Sequence, residues 1–161
     1  MQKTLLINPK KCTGCRTCEL VCSLEHEGEF NPSLSRVTMI NFPEEIVTIP
    51  VTCFHCQEPS CRQACPVGAI EKDDETGVVV IDDNQCIGCN MCLMVCPIGV
   101  ISMAGSSSKS HHAKCNLCDG EPECVDFCPG GALEYGRPDE VLWERKKKMA
   151  KHLRNLLEEA I

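Results

Sequence analysis

With 161 residues the chain is long enough for one or two compact domains, yet only six of them are Phe, Trp or Tyr, so aromatic packing cannot be the main source of its core. Sixteen cysteines imply either a disulfide framework or a dense set of metal sites. The formal charge of −7 makes nucleic acid and anionic membrane poor partners, and a protein with a basic docking face a good one.

A disulfide scaffold would need export. The opening Met1-Gln2-Lys3-Thr4-Leu5-Leu6-Ile7-Asn8-Pro9 is too short in apolar residues to be a signal, and no twin-arginine pair precedes Cys12. No later stretch approaches the run of about 20 apolar residues that a membrane-spanning helix requires. The expectation is a cytoplasmic protein, where disulfides are rare and thiolates are free to bind metal.

In chain order, Leu5-Leu6-Ile7 reads as a strand, followed by Cys12, Cys15, Cys18 and Cys22. A second group is Cys53, Cys56, Cys61 and Cys65. Next come a proline-led helical turn, a strand at Ala69-Ile70-Glu71, a turn at Asp74-Glu75-Thr76-Gly77 and a strand at Val78-Val79-Val80-Ile81. Cys86, Cys89, Cys92 and Cys96 form the third group, and GSSSKSHHAK after it reads as a linker with no returning strand. The fourth group is Cys115, Cys118, Cys124 and Cys128, with Gly131-Ala132-Leu133-Glu134-Tyr135 as a last strand able to pair with Leu5–Ile7.

Groups one and three carry the spacing CxxCxxCxxxC of bacterial two-cluster ferredoxins. Groups two and four widen the middle interval and keep CxxxCP at the end. Three cysteines on a curling loop reach three corners of one iron–sulfur cube, while the fourth, one turn on at the start of a helix, points at the neighbouring cluster. Gly14 and Gly88 let the backbone approach the cube, and Pro66, Pro97 and Pro129 suit a first helical turn, whereas Cys22 is followed by Ser23. Zinc sites use two separated CxxC pairs and do not need this triple-plus-one pattern. Four oxidised clusters with their thiolates would add about −8, bringing the chain to roughly −15.

The connection between Cys65 and Cys86 is that found inside a two-cluster ferredoxin, so groups two and three pair, and one is left to pair with four. The expected fold is α+β: two bacterial-ferredoxin-like dicluster modules, one inserted in the other, plus a C-terminal helix. Residues 1–44 with 107–137 form the outer module, 45–106 the inserted one and 138–161 the helix. Four [4Fe–4S] clusters are then held by Cys12, Cys15, Cys18 and Cys128; by Cys115, Cys118, Cys124 and Cys22; by Cys53, Cys56, Cys61 and Cys96; and by Cys86, Cys89, Cys92 and Cys65. No catalytic residue is expected, nor any nucleotide or flavin site, because no Rossmann or P-loop glycine pattern is present.

CFHCQEPSCRQACPVGAI, CIGCNMCLMVCPIGVI and CNLCDGEPECVDFCPGGAL resemble the iron–sulfur electron-transfer subunits of molybdenum and tungsten pterin oxidoreductases, over roughly residues 3 to 136. CTGCRTCELVCSLEHEGEFNPSLSRV narrows the resemblance to small polyferredoxin subunits of tungsten-dependent aldehyde oxidoreductases and the related benzoyl-coenzyme A reductases. The resemblance implies a non-catalytic redox subunit in a hetero-oligomer. It would carry single electrons between a catalytic subunit, aldehyde oxidation leading, and an accepting subunit or ferredoxin. Hydrogenase and carbon monoxide dehydrogenase complexes use similar chains.

Two other classes remain. An enzyme with a substrate-binding cluster would leave one group with three cysteines, and here all sixteen are used. A storage protein would lack a docking surface. His55 reads either as an ordinary loop histidine, the weightier alternative, or as a residue that tunes a cluster through sulfur, and His111 and His112 read as residues of an exposed polar loop. The tail carries Val141, Leu142, Met149, Leu153, Leu156, Leu157 and Ile161 at roughly helical spacing, with Asp139 as N-cap and a basic run at Arg145–Lys148. It either docks a partner or folds back on the body.

Overall fold

The computed structural model describes residues 2–104 and 111–159, leaving the GSSSKS segment and Ile161 outside the described residues. Its strands form four separate antiparallel pairs. β1 (Thr4–Ile7) pairs with β8 (Leu133–Gly136), Leu5 opposite Tyr135 and Ile7 opposite Leu133, which brings the two ends of the cysteine-bearing chain together. β4 (Ile70–Lys72) pairs with β5 (Val79–Ile81) across a turn in which Asp73 Oδ1 accepts from the N–H groups of Glu75 and Thr76 at 2.8 and 2.7 Å. Gly77 closes that turn at φ +73°, a region that costs glycine little. Both strands begin one residue later than expected.

The other two pairs differ from the expectation. β2 (Thr38–Phe42) and β3 (Val47–Val51) form a hairpin between cysteine groups one and two, and the expected module boundary at 44 falls in its turn. β7 (His111–Ala113) is the returning strand that the polar segment was not expected to offer, and it pairs with β6 (Ser102–Ala104). His-His-Ala has little intrinsic strand preference. Burial decides the matter: His112 and Ala113 are 3% and 4% exposed, so tertiary packing overrides the polar composition.

Four helices share one relation to the cysteines. In α1 (Thr17–Glu27), α2 (Ser60–Gln63), α3 (Met91–Val95) and α4 (Glu123–Asp126), the second residue is the third cysteine of its group. α1 and α3 are entered through matched left-handed steps, Gly14 and Arg16 at φ 69° and 60°, Gly88 and Asn90 at 69° and 63°. The fourth cysteine does not open a helix as expected. Cys65, Cys96 and Cys128 lie just past the end of one, and Pro66, Pro97 and Pro129 occupy the turns beyond. Proline has no N–H to continue a helix, so it stops the chain there and releases the fourth cysteine from the helical path.

Cys22 differs because α1 runs on for another turn. Proline at the next position would break it; Ser23 does not, and its buried hydroxyl donates to Leu20 O at 2.9 Å and accepts from Asn31 N at 3.0 Å. Glu19, also buried, accepts from Met39 N at 2.8 Å and pairs with Arg16, tying α1 to β2. α1 ends at Gly28, φ +73°, whose N–H caps Leu24 O.

Two apolar clusters result. One joins Leu5, Val37, Met39, Leu117 and Leu133 to Cys18, Cys22 and Cys124; the other joins Ile70, Val79 and Ile101 to Cys92. Cysteine sulfur occupies core positions that aromatic rings fill in most domains of this size.

α5 (Pro138–Glu159) opens with proline at its first position, so Asp139 lies inside the first turn and not at the N-cap, where its charge favours the helix dipole. Arg145 reaches Glu134 on β8 at 3.6 Å. From Leu142 to Asn155 every side chain is exposed, with Trp143, Met149 and Leu153 at 58%, 58% and 53%. Val141 and Arg145 thus meet β8, while the remaining described side chains from Asp139 on are exposed; those of Leu156 and Leu157 lie outside the described residues.

Gly130, two residues after Cys128, packs against the backbone carbonyl of Lys11, next to Cys12, so a Cβ there would clash. Gly130→Ala is expected to destabilise the iron-loaded protein by about 1–3 kcal/mol, the usual cost of overpacking, seen as a lower thermal midpoint. An unchanged midpoint would mean that these segments separate freely.

Candidate iron–sulfur centres

All sixteen cysteines are free thiols. Cys12, Cys15, Cys18 and Cys128 line one cavity of about 330 Å³; Cys53, Cys56, Cys61 and Cys96 line a second of about 380 Å³; Cys65, Cys86, Cys89 and Cys92 line a third of about 310 Å³. In each, three cysteines come from one group and the fourth from its paired group. Cys22, Cys115, Cys118 and Cys124 also gather, since the thiols of Cys115, Cys118 and Cys124 all feel the charge of Cys22. In the first three sets the cysteines line a common space, and among the described residues no group of three or more His, Cys, Asp or Glu closes on a single ion.

Backbone N–H groups point at five of these sulfurs: Arg36 to Cys22, His55 to Cys53, Ala69 to Cys65, Leu117 to Cys115 and Ala132 to Cys128, at 3.2 to 3.4 Å. The bonds at Cys65 and Cys128 are one motif used twice. In CPVGA and CPGGA the turn after proline, with Gly68 and Gly131 at positive φ, swings the alanine N–H back onto the thiol four residues earlier. Such bonds favour the thiolate form. In the wide fourth loop, Leu117, Cys118 and Asp119 all have positive φ, and Asn116 Oδ1 holds Cys118 N at 3.2 Å. Fully buried Leu117 anchors that strained path.

Burial opposes the thiolate. It pushes Cys18 up to about 12 and Cys118 up to about 11, raises Cys124 further still, and raises Cys61, Cys92 and Cys115 as well. Thiolates in such surroundings need a cation among them, and an iron core supplies it. Four sulfurs gathered at one place, with backbone N–H donors aimed at some of them, make the donor set that a 4Fe–4S cube takes. Cys15 is the exception: it is exposed, and the Thr17 hydroxyl, 3.3 Å from its sulfur, lowers its pKa.

Among the histidines, His112 departs from the sequence reading and His55 meets a cluster site through its backbone. His55 meets sulfur through its backbone N–H, while its ring Nδ1 accepts from Val79 N at 2.9 Å and burial lowers it to about 4. His112 is buried, not in an exposed loop: Nδ1 stands 3.9 Å from Cys86 Sγ and Nε2 is 2.7 Å from Asn90 Oδ1. His26, which the sequence did not single out, has Nε2 3.6 Å from Cys118 Sγ. Its position one helical turn beyond Cys22 on α1 was the available signal.

These features define an iron–sulfur protein of the ferredoxin type. The family model described as "4Fe-4S dicluster domain" matches residues 44–138, and a "4Fe-4S binding domain" model matches 9–25. The chain belongs to the 4Fe–4S dicluster family. It is 42% identical, over 77% of its length and 70% of the relative's, to the polyferredoxin-like subunit of aliphatic sulfonate oxidoreductase from Pyrococcus furiosus. It is 33% identical to one of the chains of anaerobic dimethyl sulfoxide reductase from Escherichia coli, over 91% of its own length and 77% of the relative's. Hydrogenase-4 component A of Escherichia coli is 31% identical over 92% of this chain and 89% of its own length. Among solved structures, the active-site complex BamBC of benzoyl coenzyme A reductase as isolated matches 97% of this chain and 89% of its own, at 27% identity and a TM-score of 0.46.

Cys22→Ala is expected to remove the cluster signal of the set containing Cys115, Cys118 and Cys124, and to leave that of Cys12, Cys15 and Cys18. Anaerobic electron paramagnetic resonance with iron analysis checks this; the reverse pattern would overturn the crossed ligation.

Proposed function

We propose that the chain relays single electrons through four [4Fe–4S] clusters between a catalytic subunit and an electron-accepting subunit or ferredoxin. Cys12, Cys15, Cys18 and Cys128 hold one end cluster, and Cys65, Cys86, Cys89 and Cys92 the other. Between them lie the clusters of Cys22, Cys115, Cys118 and Cys124 and of Cys53, Cys56, Cys61 and Cys96. Groups one and four would form an outer ferredoxin-like module with groups two and three inserted.

One observation carries this reading. Of the sixteen cysteines only Cys15 and Cys89 are exposed, and they belong to the two end sets. Packing across sets supports that order: Cys18 joins Cys22 and Cys124 in one apolar cluster, Cys61 and Cys96 pack on the cluster that contains Cys92, and Lys114 lines the Cys53 cavity while bonding the carbonyl of Cys115. Exposed apolar side chains flank both ends: Phe42 and Ile46 on the β2–β3 hairpin, whose Met39 and Pro50 line the Cys15 cavity, and Ile87 and Met94 near Cys89. A relay with two accessible ends and an enclosed middle accepts at one face and delivers at the other.

The catalytic partner we favour is a tungsten or molybdenum pterin enzyme, with aldehyde oxidation leading; hydrogenase, carbon monoxide dehydrogenase and benzoyl-coenzyme A reductase partners would use the same relay. Relatives named as subunits of oxidoreductases support this class. No helix among the described residues is long and apolar enough to cross a membrane, and a cytoplasmic complex is proposed.

Isolated without air, the chain is expected to carry about 16 iron and 16 acid-labile sulfide, the content of four complete cubes. Iron near half that value, or stoichiometric zinc, would sink the four-cluster reading. Deleting residues 139 to 161, which include the exposed stretch 142–155 with its basic run, should weaken co-purification with the catalytic subunit while iron content stays full. Equal recovery of the complex would place docking on the body.

A further inference from the structure

Resting on the relay reading, we propose that the Lys114 ammonium raises the reduction potentials of the two inner clusters together, so that the middle of the relay is not an uphill step. Lys114 follows β7 and is 3% exposed; among the described residues it is the one buried lysine or arginine. Its Nζ donates to the carbonyl of Val79 on β5 and, at 3.4 Å, to the carbonyl of Cys115. It also lines the cavity of Cys53, Cys56, Cys61 and Cys96. The side chain therefore sits at the seam between the inner sets, touching the backbone of one and the cavity of the other, where the charge of Cys53 reaches Cys115.

A buried ammonium held by two neutral carbonyls keeps its full charge out of water, which is costly unless negative charge lies close by. Four thiolates on either side supply that charge. The relation is mutual: an electron arriving at an inner cluster adds one negative charge, with no bond made and no proton moved, and a cation a few ångströms away stabilises that state over the oxidised one. Its charge also favours the thiolate of Cys61 and disfavours protonated His55, which places the field inside the cavity. Among the described residues the end sets have no buried lysine or arginine of their own. Lys11 and Arg16 beside Cys12 and Cys15 are 48% and 53% exposed and are paired with Glu134 and Glu19.

The test is a set of redox titrations of the intact protein, followed by electron paramagnetic resonance, after the wild type has been shown to hold its sixteen iron. A low iron count there would sink the four-cluster reading itself and is a separate result. In Lys114→Gln, two of the four couples are expected to shift down by tenfold or more in their reduction equilibrium, about 59 mV for a one-electron couple. The other two should stay in place. Lys72→Gln is the control, because the less buried Lys72 ammonium bonds the carbonyls of Cys56 and Gln57 at the outer side of one inner site; it should shift one couple by less. Full iron with all four couples unmoved in Lys114→Gln overturns the proposal, as does a shift confined to one couple. If Lys114→Gln loses iron while Lys114→Arg keeps it, the site needs a cation and the proposal stands. Loss from both makes Lys114 a packing element and overturns it.

Discussion

Burying sulfur that must carry negative charge is the constraint on which this fold depends. The thiols of Cys18, Cys118 and Cys124 are driven upward by burial, so in a metal-free interior they would stay protonated. An iron core removes that penalty, and the backbone N–H groups of Arg36, His55, Ala69, Leu117 and Ala132 share in the rest. The apolar clusters built around Cys18, Cys22, Cys92 and Cys124 show why so few aromatic residues suffice. The cysteines that would hold iron are thus also core residues, the arrangement by which metal binding couples to folding in small metal-dependent domains.

The same constraint explains the local architecture. The third cysteine is the second residue of a helix, and in α2, α3 and α4 the fourth lies just past its end, so that Cys61 and Cys65, and Cys92 and Cys96, line different cavities. Left-handed steps at Gly14, Arg16, Gly88 and Asn90 start two of these helices, and prolines at 66, 97 and 129 stop three. Where α1 continues, Ser23 and Glu19 bind the following loop and β2, giving that helix a second purpose in holding the hairpin beside Cys15.

On the proposed relay, exposure divides the sites into ends and middle. Two cysteines open to solvent, a hairpin with apolar side chains at one end and Ile87 and Met94 at the other suit contact with protein partners. α5 adds a third surface, exposed from Leu142 to Asn155, with Val141 beside Gly136 and Arg145 reaching Glu134 on the body. Family membership accounts for the cluster-binding scaffold; these surfaces are where one member would differ from another in the partner it serves.

The sequence by itself determined the ligand types, the grouping into fours, the β1–β8 and β4–β5 pairings and the helical tail, because cysteine spacing, turn residues and apolar periodicity are local signals. It did not reveal β7 or the buried places of His112 and Lys114, since a polar stretch is buried only when groups distant in sequence, Asn90, Cys86 and Val79, stand ready to receive it. Nor did it show that Pro66, Pro97 and Pro129 end helices instead of starting them, because proline fits either side of a helix boundary and only the packed chain selects one. Which two cysteines face solvent is a property of the assembled surface, and it was decided by tertiary structure alone.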